Sequence, residues 1–175
     1  MSGSRAPGLG AVAFLLIAAT YLLFAGGDED GREGLPAPSG AEAARARVTE
    51  VVDGDTIHAL VDGEDESVRY IGIDTPEVDP SIGVECFGEQ ASERNRDLVA
   101  GKRVRLLYGA ERRDRYGRLL AYVYVGDRLV NAEMVAGGFA RTLEIEPNTD
   151  RAPLLSRLEQ QAANVGRGLW GACKP

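Results

Sequence analysis

The chain has 175 residues, of which 44% are hydrophobic, with a formal charge of −7, two cysteines and a single histidine. This length fits one modest domain plus extra material, and the apolar share suffices for a real core. The acidic balance excludes a generic polyanion binder, so a nucleic-acid role would need a local basic site or a bound cation, and Cys86, Cys173 and His58 are too few for a Cys/His zinc site.

Gly8 to Gly27 is an uncharged apolar run of 20 residues, long enough to span a bilayer as a helix. Arg5 precedes it and Asp28-Glu29-Asp30 follow, so the positive-inside rule puts the N-terminus in the cytoplasm and everything later outside. Residues 1–27 therefore read as an uncleaved membrane anchor. A cleaved signal segment is the alternative, with Phe24-Ala25-Gly26-Gly27 as a weak cleavage site. Residues 28–45, rich in Gly, Pro, Ala and acids, read as a flexible linker, and residues 46–175 as the folded domain.

Within that domain, Arg47 to Val52 is a β-prone run closed by Asp53-Gly54, and Thr56 to Val61 alternates as a second strand. Asp62-Gly63 is a hairpin signal, and Ser67 to Ile73 a third strand. Gly88 to Ala100 has helical periodicity, with Ala91, Leu98 and Val99 on one face and Gly101 at its end. Lys102 to Tyr108 and Leu119 to Val125 are the fourth and fifth strands, and Leu129 to Ala136 a short helix before Gly137-Gly138. Asp150 is placed to cap a last helix whose apolar face is Leu154, Leu155, Leu158 and Ala162. Five short strands with interspersed helices predict an α+β domain: a small closed barrel with about three helices.

Chemistry-bearing residues gather at the strand ends. Asp53, Asp55, Asp74 and Glu77 offer oxygen ligands to a hard divalent cation, although an Asp-Gly pair taken alone is only a turn. Arg69 and Arg118 offer planar forks to phosphate oxygens, with ion pairing to those carboxylates as the plain alternative. Strict strand alternation puts Arg69 and Asp74 on opposite faces, and they converge only if the strand twists or bulges, for which Gly72 is suited. His58 reads as solvated surface, Trp170 as a cap on the core, and Arg112-Arg113-Arg115 as a loop with at least one phosphate contact.

Three ordered motifs carry a family resemblance. They are Val52-Asp53-Gly54-Asp55-Thr56, Arg69-Tyr70-Ile71-Gly72-Ile73-Asp74-Thr75-Pro76-Glu77 and Asp114-Arg115-Tyr116-Gly117-Arg118-Leu119-Leu120-Ala121-Tyr122. With Gly83-Val84-Glu85, Phe87-Gly88 and Leu129-Val130-Asn131, the stretch from about Arg47 to Trp170 resembles the staphylococcal (micrococcal) nuclease family. The resemblance implies an OB-fold barrel and a calcium-dependent nuclease acting on DNA and RNA. By it, Asp55 and Asp74 ligate Ca²⁺ through their side chains and Thr75 through its carbonyl, with Asp53 behind them. Glu77 is the general base or positions the attacking water. Arg69 and Arg118 bind the scissile phosphate, and Arg115 and Tyr116 contact the nucleotide's terminal phosphate. Two departures stand out: Leu143 and Ile145 replace tyrosines against which a base stacks, and the loop after Glu77 is short and acidic, with Asp79.

The expectation is thus a monomeric, extracytoplasmic, Ca²⁺-dependent phosphodiesterase, anchored to the membrane or secreted. A catalytically silent binding module on the same barrel and a Ca²⁺-stabilised envelope domain are the alternatives. Export places both thiols in an oxidising space, which predicts a Cys86–Cys173 disulfide tying down the C-terminal tail.

Overall fold

The structure, a computed structural model, describes residues 42–79, 81 and 83–173. The expected anchor, and the expected linker as far as residue 41, lie outside the described residues. Among the described residues no helix is long and apolar enough to cross a membrane.

Five strands form the barrel: β1 (Ala43–Val51), β2 (Thr56–Val61), β3 (Glu64–Tyr70), β5 (Arg103–Arg113) and β6 (Leu119–Val125). They are hydrogen-bonded in the order β3-β2-β1-β5-β6, and β3 then pairs parallel with β6, Arg69 opposite Leu120, which closes the sheet on itself. Closure removes the exposed edges that an open five-stranded sheet would present. Val48, Ile57, Val68, Leu106, Leu119 and Ala121 are buried in the core. Short strands complete the set: β4 (Ile73–Asp74) pairs with β8 (Arg141–Thr142), and β7 (Arg128–Leu129) extends β6. This is the OB-fold barrel expected from the sequence.

Three strands differ from their expected bounds. β1 reaches back to Ala43, because Ala43 to Arg47 pair with Leu107 to Arg103. β5 runs past Tyr108 to Arg113, where the extension pairs with Leu119 after an irregularity in the ladder. The third strand stops at Tyr70 rather than Ile73: Gly72 takes φ +79, a left-handed conformation that suits only glycine, and the chain restarts as β4. A Cβ there would also lie 2.6 Å from Cδ1 of Leu155.

The helices are α1 (Gly88–Val99), α2 (Val130–Ala136) and α3 (Ala152–Asn164), followed by the single turn α4 (Leu169–Ala172). In α3, Leu155 and Ala162 are buried and Leu154 and Leu158 pack beside them, as their spacing predicts. Asp150 does not cap it. Arg151 is the N-cap residue without a side-chain cap bond, and Pro153 in the first turn supplies a preset φ instead. Cys86 and Cys173 form the expected disulfide, with Cα atoms 5.8 Å apart, and so fasten the end of α4 to the entry of α1.

Candidate active site

The site begins at the turn between β1 and β2. Asp53 accepts the Asp55 N–H (2.9 Å), which makes Asp53-Gly54-Asp55 a side-chain-stabilised turn. A Cβ on Gly54 would lie 2.7 Å from the Thr75 side chain, so glycine lets the two loops touch. Asp55 is buried there. Its Oδ2 accepts the Thr75 N–H (2.8 Å) and hydroxyl (3.1 Å), and its Oδ1 accepts the Thr56 hydroxyl (3.1 Å).

Arg69 joins the two carboxylate turns. Its Nε lies 3.1 Å from Oδ1 of Asp55, and its Nη2 donates to Oδ1 of Asp74 at 2.8 Å. Nη1 donates to the carbonyls of Tyr70 (3.0 Å) and Ile73 (2.7 Å), which locks the fork in place. Burial foremost, with the charge of Asp53 adding, pushes the Asp55 carboxyl up to about 6, against Arg69 and the bonds from Thr75 and Thr56. Partial desolvation and then the charges of Asp53, Asp74 and Glu85 likewise hold the exposed Glu77 above the usual glutamate range, against the pull of Arg69.

A hard dication is the group this donor set fits: every candidate ligand is an oxygen, and desolvation together with neighbouring acids holds Asp55 and Glu77 above the usual carboxylate range. Among the described residues no three His, Cys, Asp or Glu side chains form a ready-made metal cluster. The guanidinium of Arg69 already holds both Asp55 and Asp74.

Glu77 is exposed, but its backbone is held. Its N–H donates to Oε2 of Glu85 (3.2 Å), and the Glu85 N–H donates to the Glu77 carbonyl (2.9 Å). A Cβ on Gly88 would sit 2.5 Å from that same carbonyl, so the first residue of α1 must be glycine for Glu77 to lie there.

Across from these loops, Asp114 organises the turn between β5 and β6. It accepts the backbone N–H groups of Tyr116 (2.9 Å) and Arg118 (3.0 Å), and the Arg118 Nε at 2.7 Å. Arg115 and Arg118 both lie over the Tyr116 ring, at 4.7 and 5.5 Å, and Tyr116 is 68% exposed. One cleft takes in Arg69, Arg115, Tyr116, Arg118, Leu143 and Ile145. The structure therefore brings the two expected phosphate arginines to one cavity, with Arg115 and Tyr116 at its rim. Glu77 is not part of the cleft wall and meets the others through the charges of Asp53, Asp74 and Arg69. Of the basic loop, Arg112 pairs with Glu42 and Arg113 with Glu66 (2.6 Å), leaving Arg115 as the member facing the cleft. His58 is half-exposed on Asp65 (3.0 Å) and takes no part, and Trp170 is partly buried under Arg141.

Sequence reasoning missed the side chains that hold these loops. Asn95 accepts the Tyr70 hydroxyl (2.9 Å) and donates to the Asp53 carbonyl (2.8 Å). Asn131 accepts the Val123 N–H (2.9 Å) and donates to the Ile71 carbonyl (2.8 Å). Asn148 exchanges two bonds with the Glu111 backbone, 2.9 and 2.8 Å, beneath Leu143 and Ile145 in the cleft wall. Asn95 did leave a signal: it falls on the apolar stripe of α1, between Ala91 and Leu98, where an amide must have a partner.

Comparison with known proteins gives a family and several relatives. Residues 67–172 match the family described as Staphylococcal nuclease homologue. The chain is 40% identical over 124 residues to the "Thermonuclease" of Staphylococcus intermedius, covering 70% of this chain and 74% of that protein. It is 35% identical over 133 residues to the "Thermonuclease" of Staphylococcus hyicus, covering 75% and 79%. It is also 40% identical over 122 residues to "Endonuclease YncB" of Bacillus subtilis (strain 168), covering 68% of this chain and 58% of that protein.

Proposed function

The chain belongs to the staphylococcal nuclease family, and from that premise we propose that it is a calcium-dependent phosphodiesterase acting on nucleic acids outside the cytoplasm. It is a hydrolase of the nuclease class, with nucleic acid as its substrate. The observation that carries the finer reading is Arg69, which reaches both Asp55 and Asp74 from one wall of the cleft that Arg118 also lines.

Bound by Asp55, Asp74 and the Thr75 carbonyl, Ca²⁺ would polarise the phosphate and neutralise its charge. The chain's own groups do the rest. Arg69 and Arg118 grip the non-bridging oxygens of a diester in the cleft, and their charge counts most when the phosphorus becomes pentacoordinate. Glu77 takes the proton of the attacking water, for which its raised pKa brings it closer to neutral pH than an ordinary glutamate. Arg118, which has Asp114 as its carboxylate partner, hydrogen-bonds the leaving oxygen. Arg115 and Tyr116 hold the adjoining phosphate at the rim. Leu143 and Ile145 offer apolar contact without a ring, so base stacking falls to Tyr116 alone and binding depends more on phosphate.

The cleft and the carboxylates beside it come from one chain, which supports a monomeric enzyme. Arg5 and the acids after the apolar run support an extracytoplasmic domain, and so does the Cys86–Cys173 bond, since such bonds persist in oxidising compartments. The decisive experiment is cleavage of single-stranded DNA and RNA with calcium and then with a calcium chelator. Cleavage abolished by the chelator and restored by calcium is expected, and undiminished cleavage in chelator removes the metal assignment.

A further inference from the structure

We infer that Arg45, Arg47, Arg103 and Arg105 form a second polyanion site, which holds the phosphate backbone of a long nucleic-acid substrate at the end of the barrel away from the cleft. The inference rests on the nuclease reading for its ligand and on the sheet register for its geometry. β1 and β5 pair so that Arg45 lies opposite Arg105 and Arg47 opposite Arg103. Their neighbours Ala46, Val48, Val104 and Leu106 are buried, so alternation turns all four guanidiniums to the outside of the barrel.

Two like-charged pairs directly opposed across one ladder destabilise a sheet unless a counter-charge sits on them. Among the described residues no carboxylate forms an ion pair with them. The groove they line is completed by Leu60, Tyr124 and short backbone stretches, with no carboxylate among its described lining residues. Arg105 lies over the Tyr124 ring at 4.7 Å, and the side chains of Arg45, Arg47 and Arg103 have no ion pair or hydrogen bond among the described residues. Arg69, Arg94, Arg112, Arg113, Arg118 and Arg128 each hold a carboxylate. In a chain of 27 acidic and 20 basic residues, these four arginines line one groove with no carboxylate among its described lining residues.

A repeating anion suits that arrangement. Along each strand the guanidiniums recur every second residue, about 6.7 Å apart, and two such rows run side by side. Planar forks bind phosphate oxygens without reading sequence, which a nuclease of broad specificity needs. The groove has only Leu60 as an exposed apolar residue, too little for insertion into a lipid surface. Arg118 adjoins one end of β6 and Tyr124 lies near the other, about 20 Å away at ~3.3 Å per residue. A polymer reaches both sites, and a dinucleotide reaches one.

The test uses the full chain and its R45Q/R47Q/R103Q/R105Q variant on two substrates, a dinucleotide diester and a single-stranded oligonucleotide several tens of nucleotides long. The variant is expected to cleave the dinucleotide like the parent. For the oligonucleotide at low salt its KM should rise about tenfold or more, and log KM should depend on log[salt] with a slope smaller by about 3, at ~0.7 per lost phosphate contact. An unchanged oligonucleotide KM and slope overturn the inference, and so does an equal loss on the dinucleotide, which would place the effect in the cleft or the fold. Oligonucleotide binding read by fluorescence anisotropy in the Glu77→Gln background separates this inference from the nuclease reading. If the parent cleaves neither substrate, that reading fails, while weaker binding by the quadruple variant still supports the patch and equal binding rejects it. Sedimentation of the parent, but not the variant, with anionic phospholipid vesicles, together with equal oligonucleotide binding, reassigns the patch to lipid and overturns the inference.

Discussion

Arg69 and Asp74 belong to opposite faces of an unbroken strand, yet their side chains meet at 2.8 Å. The break at Gly72 turns the backbone through φ +79 and brings the carboxylate round to the arginine. The same guanidinium holds the buried Asp55, so one side chain ties two loops from different hairpins. Removing it leaves a buried carboxylate uncompensated as well as a phosphate without its fork. Arg69→Ala is expected to lower kcat/KM by at least ~10²-fold, and Arg69→Lys to recover little, because an ammonium cannot serve both carboxylates and a phosphate. Near-parental kcat/KM in the lysine variant would show that only the charge matters.

Glu77 gives a pH prediction. Partial desolvation and its acidic neighbours favour the protonated form, so the pKa is raised. As the base, Glu77 must be ionised, and activity is expected to fall on acidification from a pH above the ordinary glutamate range. Glu77→Gln should reduce turnover by ~10²–10⁴-fold. At saturating calcium, which keeps Asp55 ionised, it should also erase that acid limb while leaving the melting temperature near the parent's. An acid limb that survives in the glutamine variant assigns the titration to another group.

Asp55 links pH, metal and stability. Its carboxyl titrates at about 6 in the fold against 3.8 as a free side chain. A raised carboxylate pKa means the fold favours the neutral form, so this contribution is full below about pH 4 and is lost as the pH rises through about 6. A dication on the ionised pair offsets that loss. Calcium at pH 7 is therefore expected to raise Tm, by an amount corresponding to about 2.7 kcal/mol at a hundredfold excess over Kd. Asp55→Asn should abolish the calcium response. A calcium-independent Tm in the parent would contradict this ligand assignment.

The sequence made the regular elements legible wherever periodicity was unopposed. Thr56–Val61 and Leu119–Val125 match their expected bounds. It failed where tertiary contacts decide. The Gly109–Arg113 extension of β5 is held by the Asn148 amide, which lies 37 residues away in sequence from Glu111. The end of the third strand at Tyr70 depends on Gly72 packing against Leu155. In the site, Arg69 and Arg118 were legible as residue types, and their convergence on one cleft was not. Glu85 and Gly88 stand in the sequence only as parts of a motif, and their grip on the Glu77 backbone is visible only in three dimensions. Asp150 had the right chemistry for a helix cap, but Pro153 in the first turn of α3 had already set the entry.

The disulfide gives the last prediction, which joins stability to the site. Cys86 and Cys173 are separated by 87 residues in sequence. In the chain-entropy description, closing so long a loop restricts the unfolded chain by about 4–5 kcal/mol. The bond also lies beside the site, because Cys86 follows Glu85, whose side chain and backbone bracket Glu77, and precedes the entry to α1 at Gly88. Cys86→Ser/Cys173→Ser is expected to lower Tm markedly and also to reduce kcat several-fold at a temperature where the variant is fully folded, with KM little changed. The kcat loss separates the two roles. A variant that is less stable but turns over like the parent would leave the bond a pure fastening of the tail, whereas loss of turnover in the folded protein ties the Glu77 loop to it. Dithiothreitol on the parent should reproduce the variant's behaviour, and calcium should not restore the lost kcat, since the bond acts on Glu77 rather than on Asp55 and Asp74.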